Sequence, residues 1–437
     1  MPRRYVMVGN GPAGVSAAEA VRGRDPSADI LIVGEEKVGF YSRPGLAYLL
    51  TGTVPESHLF SRREAEYRRH GLRRLVGRVV RIDRSGRRLE LQGGASVAYD
   101  RLLLAPGARA LRPKLPGMDL DGVVTLDNLE DARRILKMAR RAKAAVVVGG
   151  GITALELAEG LAAQGVRTHY LLRKDRYWGN VLDAHESELV ESRLEAEGIR
   201  LHRHSEASAI LGRGGRVAGV ELADGRRLEA RMVAFAIGIQ PRIELAQAAG
   251  LACDRGIWTD EYFRTTDDDI YAAGDAAEVL NPATGGRVLD SLWSVAIDQG
   301  RTAGANMAGA GEPYRRGVPF NVTRIGGLTT TLIGAVGTGK EDGDLVALAR
   351  GDSEAWREQA DGFTVESEAD VSRVRVLVGE RAVLGAIVMG DQTLSRPLQD
   401  IIRGQVDIRP VRQQLLRAAH ELPAILKAVW RDTRAGP

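Results

Sequence analysis

The stretch RYVMVGNGPAGVSAAEAVRGRDPSADILIVGEE, residues 4–36, decides the fold class. An apolar strand leads into a glycine-rich turn, an alanine-rich helix follows, and a second apolar strand ends at Glu35. Gly9 would permit the tight turn, Gly11 would let a pyrophosphate approach the backbone, and Gly14 would let helix and strand pack closely. An acid at Glu35 could accept hydrogen bonds from a ribose. The stretch therefore predicts a dinucleotide-binding β-α-β unit.

A second copy of the pattern lies in AAVVVGGGITALELAEGLAAQGVRTHYLL, residues 144–172. Gly149, Gly151 and Ala154 occupy the places of the three glycines, and a helix again follows the turn. Two such units in one chain predict two bound dinucleotides and electron transfer between them. The alternative is one functional site and one decayed copy.

A third signal, TTDDDIYAAGDAAEV at residues 265–279, indicates a buried strand that ends in Gly274 and Asp275. With the three motifs in this order, residues 4–310 resemble the FAD- and NAD(P)H-dependent pyridine nucleotide–disulfide oxidoreductase superfamily. Within it the chain is most similar to the cysteine-free branch, which contains ferredoxin and rubredoxin reductases and the flavin module of NAD(P)H-nitrite reductases.

The resemblance implies an α/β fold with two Rossmann-like nucleotide-binding domains, one for FAD and one for NAD(P)H, and a smaller C-terminal α+β domain. Such C-terminal domains commonly mediate dimerisation in the superfamily, so a homodimer is one expectation. The implied boundaries are 1–112 and 246–311 for the two parts of the FAD domain, 113–245 for the NAD(P)H domain and 312–437 for the C-terminal domain.

Carried over residue by residue, the resemblance places Asp275 at the ribitol or pyrophosphate of FAD. Trp293 would begin a helix whose N-terminus points at the flavin, and Val79 would line the adenine. Arg43 would contact FAD phosphates, with a surface ion pair as the alternative. Pro106 replaces the threonine usual in its family segment. The residues implied to bind FAD are Gly9, Gly11, Pro12, Ala13, Gly14, Glu35, Arg43, Val79, Ala105, Pro106, Gly107, Gly274, Asp275 and Trp293.

For the second dinucleotide, the resemblance places Glu156 beside the nicotinamide and the flavin. NAD-specific sites usually end the following strand in an acid, whereas Leu172 stands here and basic residues follow it. Those cations could bind a 2′-phosphate, so NADPH is favoured over NADH; the alternative is a solvated basic turn that tolerates both. The residues implied to bind NAD(P)H are Gly149, Gly151, Ile152, Thr153, Glu156, Arg173, Lys174, Arg176 and Gly238.

The stretch VGFYSRPGLAYLL, residues 38–50, contains no sulfur. Aligned by its RPGL core, Pro44 stands where coenzyme A disulfide reductase and NADH oxidase relatives carry a redox-active cysteine. Proline cannot form a thiolate, so electrons would have to leave the flavin directly. The resemblance suggests that Tyr48 lies near the isoalloxazine, with a core position as the alternative. Glu156, Tyr48 and Trp293 are the candidate catalytic residues.

These expectations describe an FAD-dependent NAD(P)H oxidoreductase whose acceptor is a ferredoxin- or rubredoxin-type protein or a partner subunit. An oxidase or a quinone reductase is the alternative within enzymes. A flavoprotein subunit with mainly an interaction role is the alternative of another class.

Composition excludes several other classes. One cysteine in 437 residues excludes an intrachain disulfide, a Cys-ligated iron–sulfur cluster and a Cys-rich zinc site. Aromatic residues at 5% argue against a base-stacking nucleic-acid platform. No run approaches 18 apolar residues and no signal peptide is recognised, which predicts a cytoplasmic protein without a membrane span. His202 and His204 would share one strand face, but without a third ligand a metal site is disfavoured.

Three further stretches have features that could be functional, and in each a purely structural interpretation is favoured. GAVGTGKE, residues 334–341, has phosphate-loop spacing, but Glu341 stands where a serine or threonine should hold Mg²⁺, which favours a hairpin loop. The basic stretch SRREAEYRRHGLRR, residues 61–74, is predicted to be a solvated face, with docking of an acidic carrier as the alternative. The tail is expected to pack on its own domain, with a membrane-surface or partner helix as the alternative, through apolar residues at helical spacing: Leu415, Ala419, Leu422, Leu426 and Val429.

Overall fold

A computed structural model of the protein describes residues 2–282, 285–337, 362–369, 372–417 and 419–435. The chain divides into two compact units. The first contains residues 1–111, 127–129 and 239–316, and the second contains residues 112–126, 130–238 and 317–437. The finer boundaries expected for separate NAD(P)H-binding and C-terminal domains stay predictions.

The elements follow one another along four parts of the chain. Residues 2–111 form β1 (Arg4–Val8), α1 (Pro12–Arg24), β2 (Asp29–Gly34), β3 (Phe40–Tyr41), α2 (Gly45–Leu50), β4 (Phe60–Arg62), α3 (Glu64–Arg69), β5 (Leu72–Val76), β6 (Val79–Asp83), β7 (Arg88–Leu91), β8 (Ser96–Ala98), β9 (Arg101–Leu104) and β10 (Ala108–Ala110). Residues 112–238 form β11 (Val123–Val124), α4 (Leu129–Ala139), β12 (Ala144–Val148), α5 (Ile152–Ala163), β13 (Arg167–Leu171), α6 (Ala184–Ala196), β14 (Arg200–His202), β15 (Ala207–Arg213), β16 (Arg216–Leu222), β17 (Arg227–Glu229) and β18 (Met232–Phe235). Residues 239–316 form β19 (Ile239–Pro241), α7 (Glu244–Ala248), β20 (Ile257–Thr259), β21 (Ile270–Ala272), β22 (Ala277–Leu280), β23 (Arg287–Val288) and α8 (Trp293–Met307). The described residues from 317 onward form β24 (Phe320–Ile325), β25 (Leu328–Gly334), β26 (Phe363–Ala369), β27 (Ser372–Val378), β28 (Val383–Met389), α9 (Ser395–Arg403), α10 (Arg412–Arg417) and α11 (Leu422–Ala435).

A parallel sheet with the order β21-β9-β1-β2-β5 forms the centre of the first unit. Strands β1, β2, β9 and β21 are short apolar runs buried on both faces, as parallel strands covered by helices must be, whereas the edge strand β5 is partly exposed. Helix α8 lies against α1 at close range. A Cβ on Gly300 would lie 2.2 Å from the Ala13 carbonyl oxygen, and one on Gly304 would lie 2.3 Å from that of Ala17. These two glycines therefore allow the backbones of the two helices to touch.

The second unit contains another parallel sheet, with the order β11-β18-β12-β13-β14. Strands β15, β16 and β17 form a separate antiparallel sheet beside it. The two parallel sheets confirm the α/β class and the β-α-β units predicted from the two glycine fingerprints. Each fingerprint lies where the first strand of such a unit ends and its helix begins.

The C-terminal residues of the second unit form an antiparallel sheet with the order β24-β25-β28-β27-β26. The predicted packing of the tail is confirmed, because Leu415, Leu422 and Leu426 are fully buried in one core with this sheet and α9. In the parts of the chain that the structure describes, no helix combines the length and apolarity needed to cross a bilayer.

Candidate active site

The first fingerprint forms the turn between β1 and α1, at the carboxyl edge of the first parallel sheet. Gly9 has a φ of +122°, which residues with side chains rarely adopt. A Cβ on Gly9 would lie 2.0 Å from the Ala105 carbonyl oxygen, and one on Gly14 would lie 2.0 Å from that of Gly9. A Cβ on Gly11 would meet no atom within 4 Å, so open space borders the backbone there.

The start of α1 suits a phosphate ligand. Gly11 is the N-cap and Pro12 the first helical residue, and no side chain caps the helix. The N–H groups of the first turn therefore point out of the helix without a side-chain oxygen, and the helix dipole adds positive potential. Together with the open space at Gly11, this arrangement fits the pyrophosphate of a dinucleotide.

Two more predicted segments reach the same edge of the sheet. The N–H of Ala105 donates to the carbonyl of Val8 at 2.8 Å, which sets residues 105–107 beside the glycine turn. Residues 274–276 form a short 3₁₀ turn directly after β21. Gly274 has a φ of +76°, and a Cβ there would lie 3.1 Å from the Cβ of Ala13. The turn therefore presses against the start of α1.

Hydrogen bonds with Gln299 and Arg242 fix the remaining parts of these two segments. The N–H of Gly274 donates to Oε1 of Gln299 at 2.8 Å, which fixes the turn that carries the half-buried Asp275. Pro106 is half-buried, and Gly107, with a φ of +71°, accepts a hydrogen bond from the Arg242 N–H at 2.9 Å. The glycine turn, the 105–107 segment and the Asp275 turn thus converge on one edge.

Arg43 lies in a polar cluster with Glu36, Tyr41 and Asp127. Its guanidinium donates to the Glu36 carboxylate and to the backbone carbonyl of Asp127. The Tyr41 hydroxyl donates to the other oxygen of Glu36 at 2.7 Å. Asp275 is close enough to favour the charged form of Arg43 electrostatically. The structure therefore places Arg43 at the predicted FAD edge, in an ion pair with Glu36.

Pro44 is exposed and is the N-cap of α2. Tyr48 lies in this helix and is half-buried. Trp293 is the first residue of α8, and its ring stacks on that of Phe40 with centroids 5.5 Å apart and planes 3° from parallel. Leu292, the N-cap of α8, provides no capping side chain. The positive end of α8 therefore begins at an aromatic pair.

Glu35 is exposed and forms a 3.6 Å ion pair with Arg78. The N–H of Gly77 donates to the Gly34 carbonyl at 2.9 Å, so the chain reaches Val79 directly beside the end of β2. Val79 is partly buried against the core. The predicted ribose acid and the predicted adenine contact are thus neighbours in the first unit.

Tyr67 and Asn10, which are absent from the predicted set, connect two segments of this site through hydrogen bonds. The Tyr67 hydroxyl donates to Oδ1 of Asn10 at 2.7 Å and accepts from the Phe40 N–H at 3.0 Å. Tyr67 is 57 residues from Asn10 in sequence and lies in the basic stretch expected to be a solvated face. No local pattern signals a contact of that range.

The second fingerprint repeats the geometry of the first. Gly149 has a φ of +150°, and a Cβ there would lie 2.2 Å from the Ala236 carbonyl oxygen. Gly151 is the N-cap of α5 and provides no capping side chain. Ile152 is buried, Thr153 is half-buried, and Gly238, with a φ of +127°, follows β18 at the same sheet edge. The start of α5 therefore fits a second dinucleotide.

Glu156 is half-buried one turn into α5. Burial raises the pKa of the Tyr177 phenol, and the charges of Tyr170, Glu159 and Glu156 add to the shift, so Glu156 lies within electrostatic reach of Tyr177. The Tyr177 N–H donates to Oε1 of Glu191 at 2.6 Å, and its carbonyl accepts from the Ser187 hydroxyl at 2.8 Å. Helix α6 thereby fixes the loop that follows the basic turn.

The basic turn after β13 is less positive than its sequence suggests. Leu172 is 1% exposed and cannot contact a ribose from the surface. Arg173 is exposed and lies 3.9 Å from Glu206, while Arg176 pairs with Asp175 at 3.0 Å. The turn also carries Lys174, which is half-buried. Arg173 and Arg176 therefore already face carboxylates.

Cys253 lies just before β20, and burial raises the pKa of its thiol. The prediction that His202 and His204 share a strand face is wrong, because His204 follows the strand with a φ of +50°. His202 instead contacts His169 through ring nitrogens 2.9 Å apart. Among the described residues no group of three metal-ligating side chains is present. The phosphate-loop spacing at 334–341 extends past residue 337, outside the described residues.

Comparisons with known proteins agree with this geometry. The family model described as pyridine nucleotide-disulphide oxidoreductase matches residues 3–300. Rhodocoxin reductase of Rhodococcus erythropolis is 34% identical over 313 residues, which are 71% of this chain and 73% of the relative. The biphenyl dioxygenase system ferredoxin–NAD(+) reductase component of Paraburkholderia xenovorans (strain LB400) is 33% identical over 351 residues, or 80% of this chain and 84% of the relative.

A solved structure shows that the similarity extends over the whole fold. The ferredoxin reductase for the CYP199A2 system from Rhodopseudomonas palustris superposes with a TM-score of 0.83 at 26% identity, covering 97% of this chain and 99% of that one. The chain therefore belongs to the pyridine nucleotide-disulphide oxidoreductase family and is an oxidoreductase that binds FAD and a nicotinamide dinucleotide.

Proposed function

We propose that this chain passes reducing equivalents from a nicotinamide coenzyme to a one-electron carrier protein of the ferredoxin or rubredoxin type. The observation that carries the proposal is that no cysteine lies in the segments expected to bind FAD. Pro44 stands at the N-terminus of α2, and Cys253 lies beyond the segments that form the site. Since no thiol pair is available to store electrons, they must go to a separate acceptor.

FAD, when bound, would supply the hydride-accepting and one-electron-donating chemistry. The chain's own residues would hold it. Gly11 and the first turn of α1 would bind the pyrophosphate, and Asp275 with the 105–107 segment would border the rest of the cofactor. The positive end of α8 at Trp293 would stabilise negative charge that lies close to the N-terminus of this helix.

Glu156 is the candidate for orienting the nicotinamide in the second unit. Its helix begins at the open phosphate turn of Gly149 and Gly151, so a dinucleotide seated there would run past the first turn of α5. Hydride transfer needs little acid–base help, so the contribution of this residue is positioning.

The carrier is proposed because the relatives that share about a third of the sequence are named as reductases of this kind. A quinone reductase that meets a membrane through its tail is less well supported, because the apolar residues of the tail are buried in their own domain.

The hypothesis that an acidic carrier docks on residues 61–74 is also less well supported. In that stretch Arg62 pairs with Glu19 at 3.0 Å, and Arg73 pairs with Asp29.

The experiment compares acceptors under anaerobic conditions. Purified protein is given NADH or NADPH and a [2Fe–2S] ferredoxin, a rubredoxin or a soluble quinone at one concentration, and oxygen uptake is measured separately. We expect one of the carrier proteins to be reduced at least about tenfold faster than quinone or oxygen. Faster use of quinone or oxygen would contradict the carrier proposal. A protein that binds FAD but oxidises neither coenzyme with any acceptor would support an interaction role instead.

We also propose NADPH as the preferred coenzyme, through Arg173, Lys174 and Arg176. Leu172 offers no carboxylate to a ribose, and the three cations follow it in one turn. Glu206 and Asp175 compete with a 2′-phosphate for two of these cations, and the biphenyl-system relative is named for NAD(+). A preference for NADPH therefore requires Arg173 and Arg176 to exchange these carboxylates for the 2′-phosphate. A homodimer and a cytoplasmic location are further proposals that rest on the sequence alone.

A further inference from the structure

We propose that Tyr67 is a positioning residue of the FAD site, which fixes the phosphate-binding turn relative to the strand that carries Phe40. The proposal rests on FAD binding to the first unit and assigns a role to a residue that the fingerprint motifs do not include.

The Tyr67 hydroxyl uses both its donor and its acceptor on structural elements of the site. It donates to Oδ1 of Asn10 at 2.7 Å and accepts from the backbone N–H of Phe40 at 3.0 Å. The side chain is 1% exposed, so water does not compete for either bond. Burial also raises the pKa of this phenol, which keeps the donor proton in place at neutral pH. One oxygen atom therefore joins two separate segments.

The first of these segments is the phosphate turn itself. Asn10 lies between Gly9 and Gly11, and its Cβ would be 3.1 Å from a Cβ placed on Gly34 at the end of β2. The asparagine is therefore confined between the turn and β2. Its side-chain bond to Tyr67 holds the backbone of Gly11, where a pyrophosphate is expected, in one position.

The second segment leads to the aromatic pair at α8. The Phe40 N–H is held by Tyr67, and the Phe40 ring stacks in parallel on Trp293. Trp293 is the first residue of α8, whose positive end is expected to face the flavin. A shift of Phe40 would therefore move the residue that begins this helix.

Arg74 supports the same arrangement from a position over the face of the Tyr67 ring. Its guanidinium lies 5.7 Å from the centre of the Tyr67 ring. It donates to the carbonyl of Lys37 at 3.1 Å and to that of Val38. The basic stretch thus fixes the segment before Phe40 as well as Phe40 itself.

The test replaces Tyr67 by phenylalanine, which keeps the ring and removes only the hydroxyl. Full-length protein is freed of FAD, and the dissociation constant for added FAD is measured by fluorescence together with the visible circular dichroism of the bound flavin. We expect Tyr67→Phe to weaken FAD binding about tenfold, because the Phe40 N–H and Oδ1 of Asn10 both lose a partner. The dichroism should change as well. Tyr99→Phe is the matched control, since Tyr99 is a buried tyrosine of the same core that adjoins Asp100 at the amino end of β1.

A double-mutant cycle with Asn10→Ala separates positioning from general stabilisation. We expect the two substitutions to be non-additive, with the double variant losing less FAD affinity than the sum of the two single losses. A residual loss beyond Asn10→Ala is expected, because Tyr67→Phe also removes the partner of the Phe40 N–H. Unchanged FAD affinity and dichroism in Tyr67→Phe would overturn the proposal, and so would fully additive losses. A wild-type protein that binds no FAD would instead overturn the cofactor assignment on which the proposal rests.

Discussion

At the residue scale, Pro44 and Cys253 explain why the chain offers no redox-active thiol to the flavin. Pro44 is exposed at the start of α2, and Cys253 lies beside β20 with its Sγ directed at the Leu251 carbonyl at 3.5 Å. Burial raises the pKa of the Cys253 thiol, so the reactive thiolate is scarce at neutral pH. We expect Cys253→Ser to keep wild-type kcat and kcat/KM with every acceptor. Inactivation of this variant with FAD still bound would reveal a sulfur-based mechanism.

Asp275 carries a second prediction at this scale. The carboxylate lies on the turn pressed against the start of α1, within the electrostatic reach of Arg43. We expect Asp275→Ala to lose most of its FAD, measured as the FAD-to-protein ratio after gel filtration. Asp267→Ala is the control, because that residue pairs with Arg84 at 2.7 Å before β21 begins. Equal FAD content in both variants would argue against the assigned role of Asp275.

The residue scale also shows where sequence reasoning stops. Gly9 and Gly149 could be predicted, because the backbone conformation that each turn demands depends on neighbours in sequence. The Tyr67 contact to Asn10 and the Arg43 contact to Asp127 could not, because they join segments 57 and 84 residues apart. Such contacts depend on the complete packing of the unit.

At the element scale, α5 carries a carboxylate that titrates near neutral pH. Glu159 accepts a hydrogen bond from the Gly327 N–H, in the turn between β24 and β25, at 3.1 Å. Burial raises its pKa from 4.5 to about 7, although the hydrogen bond from Gly327 opposes the shift. Because the folded pKa exceeds the unfolded value, protonated Glu159 favours the folded state at low pH. That contribution is lost as the pH rises through about 7.

Glu159→Gln removes this titration while keeping an acceptor for Gly327. One pKa unit corresponds to about 1.4 kcal/mol. Between pH 4.5 and 8, the free energy of unfolding of the wild type should therefore fall relative to the variant by on the order of 3 kcal/mol. Urea unfolding at both pH values measures the difference, with Glu188→Gln, an exposed position on α6, as the control. A wild type and a variant with parallel pH profiles would contradict the expectation.

The basic turn after β13 is the element that we propose decides the coenzyme. We expect the double variant Arg173→Ala, Lys174→Ala to lose NADPH activity about ten- to a hundredfold in kcat/KM while it keeps its NADH activity. The reason is that a charged hydrogen bond contributes roughly 1.5–3 kcal/mol. Added salt should reduce NADPH use more than NADH use, because exposed phosphate contacts are screened.

Arg213→Ala is the matched control for charge, since Arg213 is an exposed arginine in β15 of the same unit. Steady-state kinetics with both coenzymes measures all three proteins. If the wild type prefers NADH at least tenfold and the double variant changes neither kcat/KM, the basic turn is only a solvated surface.

At the scale of the whole molecule, the two parallel sheets could be predicted because each fingerprint marks one strand-to-helix turn. The antiparallel C-terminal sheet was predicted only in part. The sequence indicates a smaller α+β domain there, and β27 and β28, which are neighbours in sequence, pair as a hairpin. The pairing of β25 with β28 joins strands distant in sequence, and no turn signal specifies it.

In the proposed reaction, electrons pass from the flavin to the acceptor without a thiol intermediate. The most direct test of this step is an anaerobic reductive titration of the purified protein with dithionite. With one cysteine in the chain, and a proline rather than a cysteine in the stretch expected to face the flavin, the flavin should be the only group that accepts electrons. We predict that each FAD takes up two electron equivalents before reduction is complete. Uptake of four equivalents per FAD would show a second redox centre and would contradict the account.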